Sequence, residues 1–202
     1  FEAAEALFDR ALEAALEEDD PETASWVRSN QASLVIRRDP EAALAIARRN
    51  VELTDRLGDV FSRSLALSNL SWAQLIAEEN EPALESIEAS ERLYREAMDN
   101  GGEMEGWRGQ LRARALVLVG REEEALEVAE AAACVTRERE MLWSYPVAML
   151  TLARARAAVG VDGVDEAFNE AERVARETGA TTLLMDIAAE REQAESSAGR
   201  AY

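Results

Sequence analysis

Apolar residues recur along this chain at spacings of three and four, in blocks parted by short polar turns. Leu44, Ala47 and Val51 form one such stripe, and Leu126, Val128, Ala129 and Ala132 crowd one side of another. That period is the amphipathic α-helix, whose apolar side turns to a core. Sustained two-residue alternation is missing, so no strand is assigned. The pattern predicts helices over 1–18, 22–38, 41–57, 60–79, 82–98, 103–119, 122–139, 143–159, 164–178 and 181–196. The breaks carry matching turn chemistry. Asp39-Pro40 and Glu81-Pro82 place Pro in a first helical turn, where its missing N–H costs nothing. Gly120 and Gly160 are expected as C-caps, and Gly58 and Gly179 as the ends of second helices. Asp99-Asn100-Gly101-Gly102 is expected to be a flexible joint.

The helices repeat. An acidic-x-Ala-Leu pattern opens a helix at Glu41, Glu81, Glu123 and Asp165, although Phe168 replaces Leu in the last copy. Its Ala43, Ala83, Ala125 and Ala167 are 40, 42 and 42 residues apart, and 39 residues before Ala43 stands Ala4. A second series, Ala32, Ala73, Ala113 and Ala153, is spaced 41, 40 and 40 in the helix before each turn. Small residues at fixed places let paired helices approach closely. A period of about forty residues with two helices per unit is the mark of a stacked helical array.

A mid-first-helix small residue, a turn and an early Ala-Leu together resemble the tetratricopeptide repeat (TPR). The unit is longer than the standard form, and so is similar to the variant in bacterial signal-transduction ATPases and large LuxR-type regulators of the maltose-activator kind. The resemblance implies an all-α, right-handed superhelical solenoid of antiparallel helix pairs, with about 4.5 repeats and a C-terminal capping helix. On that reading residues 1–202 are one domain. It comprises a partial repeat at 1–20, helix pairs at 21–59, 60–101, 102–140 and 141–179, and a capping helix and tail at 180–202. Leu183, Leu184 and Ile187 would cover the last pair, with Glu190, Arg191, Glu192 and Gln193 facing outward.

Charge narrows the range of partners. The chain has 41 acidic and 22 basic residues, a net charge of −19, and all its basic residues are Arg. Such a surface repels phosphate backbones and anionic membranes, so neither nucleic acid nor membrane is expected as a partner. No apolar run reaches the length of a membrane span. FEAAEALFDRAL has neither the basic start nor the apolar core of a secretion signal. It reads as the middle of a helix, as in a fragment of a longer protein. A single Cys134 cannot form an intrachain disulfide, which fits a cytoplasmic setting.

Catalysis is not expected. Without His or Lys the commonest general bases and Schiff-base nucleophiles are missing. Cys134 lies in an apolar helical stretch and is expected to be buried and inert. Asn100-Gly101-Gly102 lacks the Lys and the strand of a phosphate loop, and Asp162-Gly163-Val164-Asp165 lacks the remaining ligands of a calcium loop. Acidic runs such as Glu17-Glu18-Asp19-Asp20 read as solvated helix ends. No cofactor and no metal is assigned.

In the family that this chain resembles, the first helix of each pair lines the concave face. All four Trp fall on or at the start of first helices, and Trp26 and Trp107 each lie six residues before the aligned Ala. One residue after it come Ser33, Gln74, Arg114 and Arg154; four residues earlier come Ser29, Leu70, Gln110 and Leu150. These ten residues are the expected ligand-binding groove. The competing reading has the Trp rings, Trp72 above all, packing between helices. Arg114 and Arg154 would be neighbours on adjacent repeats, with Arg108, Arg112 and Arg156 close in sequence. Guanidinium forks bind carboxylates in pairs, so a protein or peptide partner or a small anionic effector is expected. Alternatively the Arg side chains pair with the chain's own Glu, such as Glu105 or Glu122. The expected role is a binding scaffold within a larger prokaryotic regulator. The alternative role is a self-association module forming homo-oligomers.

Overall fold

The computed structural model describes residues 2–97 and 105–198, all in helices, their caps or short turns. The four-residue joint expected at Asp99 lies outside the described residues. Two compact units result, Phe1–Gly101 and Gly102–Tyr202. The first holds α1 (Glu2–Glu17), α2 (Pro21–Val35), α3 (Pro40–Leu57), α4 (Val60–Ile76) and α5 (Asn80–Ala97). The second holds α6 (Glu105–Leu118), α7 (Glu122–Glu138), α8 (Tyr145–Val159), α9 (Val164–Glu177) and α10 (Thr181–Ala198). Among the described residues there is no strand. No described helix is long and apolar enough to cross a membrane.

Within the first unit α2 packs on α3 and α4 on α5. The pairs join through α3 against α4 and α2 against α4, and α1 lies on α2. The second unit repeats the scheme with α6–α7 and α8–α9, joined by α7 against α8 and α6 against α8, and α10 lies against α9 and α8. Both Ala series sit at these seams. Ala32, Ala73, Ala113 and Ala153 are buried, as are Ala43, Ala83, Ala125 and Ala167. A methyl group is the largest side chain that such a seam admits. Around the first seam Val35, Ile36, Leu44, Ala47 and Leu70 complete an apolar cluster.

The starts of α2, α3 and α4 follow from acidic caps. Asp20, Asp39 and Asp59 accept the backbone N–H of Thr23, Ala42 and Ser62 at 3.0, 2.9 and 2.7 Å, each satisfying a donor that the helix itself leaves unpaired. Gly58, Gly120, Gly160 and Gly179 all have positive φ at helix ends. Asp19, Glu78 and Glu140 do the same without being glycine, with φ of 53°, 62° and 51°. Glu78 accounts for one revised boundary. The helix expected over 60–79 ends at Ile76, the left-handed turn follows, and α5 begins at Asn80 rather than at 82. The helix expected from 143 begins at Tyr145, which leaves Trp143 in the turn before it and exposed.

Polar side chains are also built into the seams. Asn50 of α3, 1% exposed, donates from Nδ2 to the Ser25 carbonyl (3.1 Å) and to Ser29 Oγ (3.0 Å) of α2. Ser64 donates to the Ser90 carbonyl at 2.9 Å, joining α4 to α5, and Ser68 shares a 2.6 Å hydrogen bond with Ser90 Oγ. Ser71 donates to the Ala83 carbonyl at 2.8 Å. Each bond satisfies a group whose burial would otherwise cost about 1–3 kcal/mol.

Candidate functional site

Helical geometry divides the ten expected site residues into two sets. Residues seven apart share one helix face. On α2 this places Trp26 with Ser33, and on α6 it places Trp107 with Arg114. Trp26 is 59% exposed, whereas Ser33, Trp107, Arg114 and Arg154 are half-buried. Gln74, in the same phase on α4, is buried, and its Oε1 has no hydrogen-bond partner among the described residues. Trp72 is half-buried at the first seam, among the side chains packed against the Leu44 cluster.

The series four residues earlier lies inside. Ser29, Leu70, Gln110 and Leu150 are all buried. Ser29 receives Asn50, and Gln110 donates from Nε2 to the carbonyl and hydroxyl of Ser144 at 3.1 and 2.7 Å. Ser29 and Gln110 thus tie neighbouring segments together, and Leu70 belongs to the apolar cluster of the first seam.

Three of the five Arg side chains grouped by sequence, Arg108, Arg112 and Arg156, are engaged elsewhere. Arg108 turns into the interior of the second unit, only 2% exposed. Arg112 pairs with Glu124 at 2.6 Å, and Arg121 pairs with the same carboxylate. Arg156 donates to the Gly163 carbonyl at 2.9 Å. Arg114 and Arg154 do come together, because α6 packs on α8 and the charge of one acts on the other. Burial chiefly, then the Arg114 charge, pushes the Arg154 guanidinium down to about 9, and Asp186 acts in the opposite direction. At neutral pH Arg154 remains a cation.

Its partner is Glu190 of α10, whose two carboxylate oxygens accept from Nε and Nη2 of Arg154. Glu105 is instead 3.7 Å from Arg139. Sequence reasoning assigned Glu190 to the outward face of the capping helix. A contact spanning 36 residues between two helices leaves no mark in local periodicity. Cys134 is another correction. It is half-buried, and its Sγ donates to Glu138 Oε1 at 3.2 Å. Hydrogen bonding to Glu138, and then its charge, raise the thiol above its usual range.

A concavity on α1 is lined by Asp9, Leu12, Glu13, Leu16 and Glu17, and includes none of the expected site residues. No group of three His, Cys, Asp or Glu among the described residues is placed to hold a metal ion.

Two solved structures share this arrangement of helix pairs. One is a single-substitution form of the nearly identical TPR-like repeats of a putative kinesin light chain from Podosopora anserina. It is 16% identical with a TM-score of 0.64, covering 89% of this chain and 88% of that one. The other contains the corresponding repeats without that substitution. It is 19% identical with a TM-score of 0.61, covering 90% and 88%. The fold is a TPR-like helical repeat. No family model and no curated protein matches the sequence. At such identities the likeness carries the fold alone.

Proposed function

We propose that this chain is a protein- or peptide-binding scaffold whose first-helix faces carry the ligand, and that it serves inside the cell as part of a larger prokaryotic signalling or transcriptional regulator. The observation that carries the binding reading is the pattern repeated on α2 and α6. Trp26 stands out of the core in line with Ser33, and Trp107 occupies the same phase in line with Arg114. Accessible aromatic rings beside hydrogen-bonding groups are the composition of interface anchors. Arg114 and Arg154 add a preference for carboxylates, with a ligand carboxylate taking the place that Glu190 fills at Arg154. The regulator setting rests on the forty-residue repeat length.

The test is panning of a random peptide library on the purified chain. Peptides enriched in acidic and aromatic residues should be recovered. Trp26→Ala should weaken them at least about tenfold, and so should Arg114→Glu combined with Arg154→Glu, with helicity by circular dichroism unchanged. Affinities indifferent to all three substitutions would refute the assignment.

Self-association is the second reading, favoured by Leu7 and Leu16, which stand exposed on α1. Light scattering should then give a multiple of the 22.2 kDa chain mass that collapses to one in Leu7→Glu/Leu16→Glu. A monomer before substitution removes this reading.

A further inference from the structure

The last helix is thinly embedded. Among the described side chains of α10, Ile187 is buried at 1% exposure, Leu183 and Leu184 are half-buried, and Met185 is 73% exposed. Polar contacts supply much of the remaining attachment. Glu190 takes Arg154 of α8 in a two-point contact, and Asp186, one turn earlier, also acts on that cation. Arg191 lies over the Phe168 ring of α9, 5.3 Å from its centroid. It donates to Asn169 Oδ1 at 2.9 Å and stands 3.9 Å from Glu172.

The surface beneath is less free to change than the helix above it. The Arg154 side chain is three-quarters covered, and a guanidinium so enclosed and stripped of its carboxylate is strongly unfavourable. Whatever replaces α10 must therefore bring a carboxylate to the same place. An apolar stripe flanked by charges and laid against complementary charges is how amphipathic helices dock on helical surfaces.

We propose that the α8–α9 surface bearing Arg154, Phe168, Asn169 and Glu172 is a binding site for an acidic amphipathic helix of a partner protein, with α10 as its resident occupant. This rests on the reading of Arg154 as a docking cation, and it specifies the ligand. The partner helix carries apolar residues in the places of Leu184 and Ile187, carboxylates in those of Asp186 and Glu190, and a cation in that of Arg191. While docked, α10 competes at an effective concentration of order millimolar, so the apparent affinity for any partner is reduced to the undocked fraction.

The probe is a fluorescein-labelled peptide of residues 181–198, titrated into the full chain by anisotropy. Ile187→Asp/Glu190→Arg, which releases α10, should bind it at least about tenfold more tightly than the unaltered chain. Adding Arg154→Gln to that variant, which removes the cation without forming a reversed ion pair with the arginine introduced at position 190, should return binding to the starting level. Glu190→Gln alone, a milder change, should tighten binding severalfold, with circular dichroism showing retained helix throughout. Equal weak binding to every chain overturns the proposal, as does tightening that survives Arg154→Gln. A doubled mass for the released chain without peptide binding assigns the surface to a second copy, and also overturns it. Peptides from panning separate the two readings: if they bind through Trp26 while the 181–198 peptide binds nowhere, only this inference fails. The converse result removes the Trp26 face and leaves the α8–α9 site standing.

Discussion

Gly106 of α6 meets Thr136 of α7 so closely that a Cβ built on the glycine would stand 2.5 Å from the threonine γ-methyl. One turn on, a Cβ at Gly109 would be 3.0 Å from the Ala132 Cβ. Thr136 cannot easily turn aside, because its hydroxyl donates to the Ala132 carbonyl at 2.8 Å. Gly106→Ala is expected to destabilise the chain by about 1–3 kcal/mol. Thr136→Ala, which removes the obstructing methyl, should recover much of that loss in the double variant. A urea-denaturation cycle over the four chains reads the coupling, and strict additivity would mean that the two residues do not compete for space.

The buried Ala positions predict a contrast within one helix. Ala125 and Ala131 both lie on α7, but Ala125 is fully buried and Ala131 is exposed. Ala125→Leu should cost about 1–3 kcal/mol by overpacking. Ala131→Leu should stay within about 0.5 kcal/mol of the unaltered chain. Thermal melts compare the two, and equal effects would contradict the seam geometry.

Asp20 and Asp59 give the fold an acid limit. The hydroxyl of Thr23 and then its backbone N–H hold the Asp20 carboxyl below the usual carboxylate range, and Ser62 does the same for Asp59. A carboxyl depressed in the folded state stabilises fully above its unfolded pKa of about 3.9, and that contribution fades as pH falls through the folded value. Asp59→Ala should therefore lower stability by about 1 kcal/mol at pH 7. In melts carried downward in pH, the gap to the unaltered chain should narrow below about pH 4. A gap that is constant with pH would show that the cap does not act through its charge.

Cys134 should alkylate slowly despite its partial exposure, because Glu138 disfavours the thiolate that reacts. Glu138→Gln removes the opposing charge, and iodoacetamide labelling followed by mass spectrometry should become severalfold faster at mildly alkaline pH. An unchanged rate would mean that access, rather than charge, limits the reaction.

The helices were legible because an apolar stripe at period 3.6 is local, and because Ala43, Ala83, Ala125 and Ala167 are repeated closely enough to be counted. Boundaries failed where the backbone did something without its customary residue. Glu78 turns left-handed with no glycine to announce it, and α4 stops three residues early. Of the candidate site, the exposure of Trp26 and the nearness of Arg114 to Arg154 followed from alignment of the repeats. The inward turn of Arg108 and the reach of Glu190 to Arg154 did not. Each depends on side-chain direction and on a helix far away in sequence, and polarity alone does not distinguish an outward Glu from one that answers a cation.

The alanine seams have a cost that the polar residues answer. Because every pair presents the same methyl at the same depth, alanine contacts alone would let a helix settle against the wrong neighbour, one repeat out of register. The hydrogen bonds differ from pair to pair. Asn50 finds Ser25 and Ser29, Ser64 finds Ser90, and Gln110 finds Ser144. A helix docked on the wrong partner would bury these groups unanswered, a penalty that grows with each mismatch. The fold thus proofreads its own assembly, and the residues that do so are those the alanine periodicity leaves out.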